Sequence, residues 1–508
     1  MTRAPAVQAS RLGSALAQWR RLLGPERVLV DQRTLKRYGR TTLMRAPQPL
    51  AVIRPRRAEQ VPELLRVARD ERISLYPISR GRNWGWGKAC PATEKQVVLD
   101  LSDLDRILKI NAEFGYAVIE PGVTQGQLVR ALASDAPEWW LESTNAGPET
   151  SIVGNTLERG LGMSDRTASV CGLEVVLPDG RTVRTGFGIF PRSRVTHLAK
   201  WGVGPNLDGL FMQSNLGVVT RMGIWLAPRP RGAECCLISV VASALPRLID
   251  ALRPLRLQGV LGTNVHIFPV AGQDRRSRWL AVGVVYGSAA ARAAYRTDIQ
   301  AAIGKFSRHL YFRAKPRNAK VALTLRTLGL QTTPGLEDLL RAGAVLCTGE
   351  PFSPSPKFLL AYLGGPQIQK TSPNPTSADP LDNDYGLYFL WVTCPAAGRD
   401  VKAAIGLVTE TSAKFGIRPQ LTIQLPNGRA AVLVVRICFN RREYRGRSRA
   451  SRCYRAVLKA TVGAGFPPWR LGIEGMPLLK QGGIDMAFPK LLKDWMDPGA
   501  ILAPGRYV

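Results

Sequence analysis

The chain has 508 residues, 45% of them apolar, and carries 70 Lys plus Arg against 38 Asp plus Glu, a net charge of +32. That apolar content excludes a disordered polycation, and the length allows about three structural units with ample buried core. The charge invites nucleic acid, an anionic surface or an acidic protein as partner, and an arginine-rich composition spread along the whole chain is the plainer reading.

In chain order, Leu12, Leu16, Trp19, Leu22 and Leu23 recur at helical spacing and predict an amphipathic helix. Residues 50–54 read as a strand. Residues 59–72 read as a helix with Val61, Leu64, Leu65 and Ala68 on one face, and 74–78 and 97–101 as two more strands. A second unit opens with a strand at 116–120 and a helix at 125–133. Residues 173–177 and 182–185 flank Pro178-Asp179-Gly180 as a hairpin, and 218–226 is a strand ending at Pro228-Arg229-Pro230. That Pro/Arg stretch marks a boundary near 230. Beyond it, strands are predicted at 236–241, 280–286, 388–393, 421–425 and 431–438, the last two joined through Pro426-Asn427-Gly428. Helices are predicted at 245–255, 290–303 and 401–414. This interspersed pattern predicts an α+β unit with an antiparallel sheet. Residues 349–384 read as a long loop, and the tail from Asp497 has no periodicity. The arginines at 441, 442, 445, 447, 449, 452 and 455 read either as an anion-binding patch or as a solvated loop leading into a helix.

No run approaches the roughly 18 apolar residues of a membrane span. The start of the chain lacks the apolar core of a secretion signal. The eight cysteines (90, 171, 235, 236, 347, 394, 438 and 453) form no CxxC pair, and the three histidines (197, 266 and 309) lie far apart. The expectation is a cytoplasmic protein with reduced thiols and no metal centre.

Four segments carry chemistry. Ser79-Arg80-Gly81-Arg82-Asn83-Trp84-Gly85-Trp86-Gly87 follows a predicted strand, and its glycines let successive backbone N–H groups face an anion. Ser151-Ile152-Val153-Gly154-Asn155-Thr156-Leu157-Glu158-Arg159-Gly160 is apolar and then small, suited to a flat ligand. The third runs from Trp201-Gly202 to Leu216-Gly217, and the fourth is the tail from Asp497-Pro498 to Pro504-Gly505.

In this order and spacing the set resembles the vanillyl-alcohol oxidase/para-cresol methylhydroxylase family of FAD enzymes, densely over 50–230 and again over 465–508. The resemblance implies an FAD-binding domain of two α/β subdomains, about 1–102 and 103–230. It also implies an α+β cap domain over 231–460 and a C-terminal segment, 461–508, returning to the FAD domain. Ser79, Gly81, Arg82 and Asn83 would hold the pyrophosphate. Ser151, Gly154 and Asn155 would border the flavin, and Glu174 and Val175 would meet the adenine half.

The family places an Asp near flavin N5, seven residues before the glycine that opens the next strand. Here that is Asp165 before Gly172, a carboxylate for proton transfer or charge stabilisation, or else a turn aspartate paired with Arg166. The family's phenol oxidases grip a phenolate with two tyrosines and an arginine. Those positions here are Trp86 and the pair Trp469-Arg470. Indole has one N–H and no acidic hydroxyl, so a simple para-alkylphenol is not the expected substrate, and a flatter or heteroaromatic biosynthetic intermediate is. Plain packing of the two tryptophans is the other reading. Flavin is linked in the family through a His or Tyr on a cap strand before a proline. The strand ending at Pro395 has no His, so non-covalent FAD is expected, with a linkage at Tyr388 as the alternative.

The resulting expectation is an FAD oxidoreductase that takes a hydride from a carbon beside an aromatic or conjugated group. Oxygen or an acidic electron-transfer protein would accept the electrons, and a homodimer is open. The competing expectation is a basic anion- or nucleic-acid-binding protein on a retained flavoprotein fold.

Overall fold

The structure, a computed structural model, describes residues 3–44, 47–144, 146–271, 277–313, 379–481 and 483–508, together with Leu330, Gly349 and Ser377. Cys347 and most of the loop expected at 349–384 lie outside the described residues.

The first unit contains α1 (Arg3–Leu23), β1 (Val28–Leu29), α2 (Gln32–Tyr38), β2 (Val52–Ile53), α3 (Val61–Asp70), β3 (Ser74–Ile78) and β4 (Gln96–Asp100). Its sheet runs β1-β2-β4-β3, with β2 and β3 parallel to β4 and β1 antiparallel to β2. The apolar stripe of α3 is the one its spacing predicts, and it buries Val61, Leu64, Leu65 and Ala68. Trp19 of α1 is fully buried, and its indole N–H donates to the Leu64 carbonyl at 3.3 Å, which ties α1 to α3.

The second unit contains β5 (Ile107–Asn111), β6 (Tyr116–Ile119), α4 (Gln125–Asp135), β7 (Trp139–Trp140), α5 (Ile152–Leu157), β8 (Val170–Val176), β9 (Thr182–Arg184), β10 (Val218–Trp225) and β11 (Ala227–Pro228). An antiparallel sheet runs β5-β6-β10-β8-β9, and β7 pairs with β11 in a separate ribbon. The β8–β9 hairpin turns at Pro178-Asp179-Gly180, where Gly180 sits at φ +83°, a conformation glycine adopts without strain.

The third unit contains β12 (Ala233–Val241), α6 (Leu245–Leu257), β13 (Val265–Ala271), β14 (Ser277–Tyr286), α7 (Ala289–Ile303), β15 (His309–Arg313), β16 (Tyr385–Pro395), α8 (Gly398–Ala413), β17 (Gln420–Leu425), β18 (Ala430–Asn440) and α9 (Tyr444–Gly463). Two later elements, β19 (Pro468–Arg470) and α10 (Ala487–Met496), follow in the C-terminal segment. The eight strands run β15-β12-β14-β13-β17-β18-β16-β19, every pairing antiparallel. Residues of α6 to α9 pack with Ile238, Ile267, Tyr388, Leu390 and Val435 on one face of this sheet. The other face turns Leu237, Phe268, Val282, Leu387 and Phe389 toward Trp140 and Met163 of the second unit. Side chains alternate along each strand, so this two-sided burial fixes which residues of β16 meet the cavity described below.

The aperiodic tail docks on the first unit. Leu75 N–H donates to the Ile501 carbonyl at 2.7 Å, and Ala503 N–H donates to the Leu75 carbonyl at 2.8 Å. Lys493, buried with Asp497, pairs with it at 2.6 Å and also donates to the Asn215 and Leu502 carbonyls, each at 2.8 Å.

Arg441 and Arg442 precede α9 and the other five arginines of the run lie within it; Arg442 pairs with Asp384 at 2.7 Å and Arg455 with Glu474 at 3.4 Å. Among the described residues no helix is long and apolar enough to cross a membrane. No group of three or more His, Cys, Asp or Glu is placed to hold a metal ion, again among the described residues.

Candidate active site

The three sheets meet at a cavity of about 350 Å³. Ser79, Gly81, Arg82, Asn83, Ser151, Gly154 and Asn155, from two of the motifs, all line it. The loop after β3 and the start of α5 approach closely: a Cβ on Gly154 would stand 2.9 Å from Ser79 Oγ. Gly85, at φ +73°, would place a Cβ 2.4 Å from the Phe389 ring, so the same loop also abuts the cap. Ser151 caps α5, accepting from Gly154 N–H at 2.9 Å and donating to the Pro121 carbonyl at 2.6 Å. Asn155, Asn215 and Trp84 line the cavity, and their Oδ1, Oδ1 and Nε1 atoms are buried without a hydrogen-bond partner. Buried polar atoms are normally satisfied, so this wall is built for a polar, elongated ligand, and the residues fit a dinucleotide cofactor such as FAD.

A charged cluster closes one end. Arg470 is fully buried and donates to Asn83 Oδ1 at 3.0 Å, and its guanidinium lies 3.4 Å from Glu158. Glu158 also accepts from Tyr507 Oη at 2.8 Å and pairs with Arg506, which in turn donates to Tyr76 Oη at 2.8 Å. One carboxylate thus faces two guanidiniums, leaving a net positive charge. Burial pulls the Arg470 pKa down to about 10, which leaves it cationic at neutral pH. The Arg470 guanidinium sits 4.3 Å from the centre of the Trp86 ring and 5.8 Å from that of Trp391. Trp86 stacks on Phe389 and meets Trp391 edge-on. These three rings and the cation form a box suited to a flat, electron-rich or anionic group.

The cap supplies the opposite wall. His266 of β13 lies directly across from Gln424 of β17, and both line the cavity with Phe268 and Val434. Burial, with no charged neighbour opposing it, drops the His266 pKa to about 4, so the imidazole is neutral.

Five expected site residues do not line this cavity. Asp165 does not line the cavity. It caps its own short turn, accepting from Thr167 N–H at 3.1 Å and Thr167 Oγ1 at 2.8 Å, and its ionic neighbour is Arg159 at 3.9 Å rather than Arg166. Trp469 stands behind the wall: its N–H donates to the Arg159 carbonyl at 2.9 Å and its ring lies under the Arg159 guanidinium. Glu174 pairs with Arg184 and Arg221 and lines a second, outer cavity, while Val175 is core. The cavity wall nearby comes instead from Val218 and Val219. Tyr388 points to the helix face of the cap sheet, stacked between Phe439 and Tyr454 and accepting from Met44 N–H at 3.0 Å. Its neighbours Phe389 and Trp391 face the cavity instead.

Sequence reasoning passed over Glu158, Arg506, Phe389, Trp391, His266 and Gln424. Glu158 stood inside a segment already singled out. For Phe389 and Trp391 the signal was strand alternation counted from a known face. Nothing local joins His266 to Gln424.

A family model described as an FAD binding domain matches residues 49–186. A 1'-carboxy-chondrochloren decarboxylase of Chondromyces crocatus is 33% identical across 98% of this chain and 97% of that protein. The flavoprotein subunit of a hydroxylating 4-cresol dehydrogenase from Pseudomonas putida is 35% identical over 51% of each. The solved structure of a p-cresol methylhydroxylase with substrate bound superposes with a TM-score of 0.84 at 25% identity, covering 98% of this chain and 97% of that one.

Proposed function

Because this chain belongs to the vanillyl-alcohol oxidase/para-cresol methylhydroxylase family of FAD-linked oxidoreductases, we propose that it oxidises a carbon adjacent to an aromatic or conjugated group of a small biosynthetic intermediate, not a simple para-alkylphenol. FAD, when bound, supplies the hydride acceptor. Ser79, Gly81, Arg82 and Asn83 hold the pyrophosphate side, and Ser151, Gly154 and Asn155 border the ring system. The second half of the cavity belongs to the substrate.

The observation that carries the proposal is the box of Trp86, Phe389, Trp391 and Arg470. Arg470 is a fixed, buried cation held by Asn83 and Glu158, so it keeps an oxygen of a conjugated substrate in its anionic form, and that anion feeds electron density to the carbon that gives up hydride. The rings clamp a flat group beside it and exclude water. Among the described residues no tyrosine lines the cavity, and the Tyr507 and Tyr76 hydroxyls of the charged cluster are committed to Glu158 and Arg506. That disfavours a small phenol anchored at its oxygen. The near full-length likeness to an enzyme named a chondrochloren decarboxylase supports a biosynthetic substrate.

FAD is held without a covalent bond in this reading. Tyr388 is turned away, and the residues of β16 that line the cavity are Phe389 and Trp391. Electrons then pass to oxygen or to an acidic electron-transfer protein, the latter supported by the charge of +32. Purified protein with a flavin spectrum that bleaches anaerobically with conjugated aromatic candidates, and recovers with oxygen or an added acceptor, fits the proposal. A colourless protein that takes up no FAD defeats it.

A further inference from the structure

We propose that His266, on the cap wall of the cavity, is a specificity-determining residue whose Nε2 hydrogen-bonds a neutral hydroxyl at the end of the substrate remote from Arg470. This rests on the substrate reading above and deepens it, because it sets the substrate's length and its second polar group.

His266 is buried to 5% exposure, lines the cavity, and has no hydrogen-bond partner at Nε2. A buried polar atom left unsatisfied is costly, and the ring that carries it belongs to a residue of the cavity wall. The ring is held in place. Phe268 stacks on it with centroids 6.1 Å apart and planes at 16°, and Gln424, across the ladder, has its carbonyl tied to the Asn264 amide at 3.1 Å. No charged side chain contributes to its titration, and burial keeps it neutral. A neutral imidazole with a lowered pKa is a weak base, so a role in selecting the ligand suits it better than proton abstraction. A neutral ring nitrogen accepts in one tautomer and donates in the other. A hydroxyl can answer either, which is why it is the matching group, while an anion belongs with Arg470.

The two residues stand at opposite ends of one sheet segment. From β13 the order runs β17, β18, β16 and β19, with Gln424 opposite His266 and Trp391 opposite Arg470. Four strand spacings separate the two backbones by about 19 Å. The Arg470 and His266 side chains and their hydrogen bonds take up part of that interval; a single substituted ring is too short for the remainder, and an aromatic group with a conjugated extension and a distal hydroxyl suits it better.

The test is calorimetric titration of the FAD-loaded enzyme with 4-hydroxycinnamate and with 4-methylcinnamate, which share the anion and differ in whether the distal end carries a hydroxyl. Wild type should bind the hydroxyl compound roughly tenfold more tightly. His266→Phe should erase that preference by weakening the hydroxyl compound to the level of the methyl one, and His266→Gln, which keeps a polar tip, should restore part of it. Survival of the preference in His266→Phe, equal binding of both probes to wild type, or binding of neither overturns the proposal. So does flavin that stays with acid-precipitated wild type but is released from His266→Phe, which would make His266 an attachment point instead. The reading beneath it fails separately: loss of the preference in His266→Phe together with flavin that no conjugated substrate reduces keeps the subsite and removes the oxidoreductase substrate assignment.

Discussion

Arg470 holds its guanidinium 4.3 Å from the centre of the Trp86 ring. Both are buried, and the cation is pinned from its other side by Asn83. Trp86 therefore acts as a lid on Arg470 and occupies space in which a small phenol would otherwise settle. Trp86→Tyr shrinks that lid and adds a hydroxyl, and it should raise affinity for simple para-alkylphenols about tenfold, the worth of one buried hydrogen bond. Trp469→Tyr should leave phenol binding unchanged, since Trp469 lies behind the wall on Arg159. Flavin-perturbation titrations with 4-ethylphenol check both, and equal responses of the two variants would contradict the placement.

Asp165 is a turn residue, capping through Thr167. Asp165→Ala should cost about 1 kcal/mol of stability, the usual worth of a cap, and should slow flavin reduction by no more than a few-fold. A loss of a hundredfold or more in the anaerobic reduction rate, with the melting temperature unchanged, would restore a catalytic role.

The tail is fixed by a buried ion pair, Lys493–Asp497, whose carboxylate also accepts from Ile501 N–H at 2.8 Å and Leu502 N–H at 2.9 Å. Asp497→Ala leaves the lysine buried and unpaired, and the expected cost is about 3–5 kcal/mol. Leu502, Ala503 and Arg506 line the cavity, so flavin content should fall together with the melting temperature. Retention of full flavin occupancy in a destabilised variant would separate the tail from the cofactor.

His266 gives the fold an acid-sensitive point. Its folded pKa of about 4 lies below the ordinary 6.5, so between these values the unfolded chain binds a proton that the folded one refuses. Stability is therefore lost as pH falls from about 6.5 towards 4, by up to about 3 kcal/mol. His266→Gln lacks this contribution. Melting curves of wild type and variant should converge, or cross, on moving from pH 7 to pH 5, and a constant gap would contradict the burial of a neutral imidazole.

Much of the cavity wall around α5 was legible because its signals are local. A strand that runs into Ser79–Gly87, or a capping Ser151 followed by Gly154 and Asn155, reads the same in sequence and in space. Arg470 was legible through its resemblance-based position alone. Tyr388, the alternative attachment point, could not be placed from sequence because β16 is apolar on both faces, so its pattern does not say whether 388 or 389 meets the cavity, and a shift of one residue inverts the answer. Asp165 was placed by counting from Gly172, and such a count does not show where a side chain points. Glu174 and Val175 lie on the correct sheet, but the wall comes from their ladder neighbours Val218 and Val219. The His266–Gln424 pair exists through strand pairing between distant segments, which no window of sequence reports.

The central claim is that a buried Arg470 anchors a conjugated substrate against bound FAD, and the anaerobic rate of flavin bleaching in wild type against Arg470→Ala tests it most directly. The account predicts a flavin-loaded Arg470→Ala protein that bleaches a hundred- to a thousandfold more slowly with any substrate active on wild type, the loss typical of removing a preorganised charge-stabilising group. Bleaching at the wild-type rate in a variant that retains its flavin would contradict it.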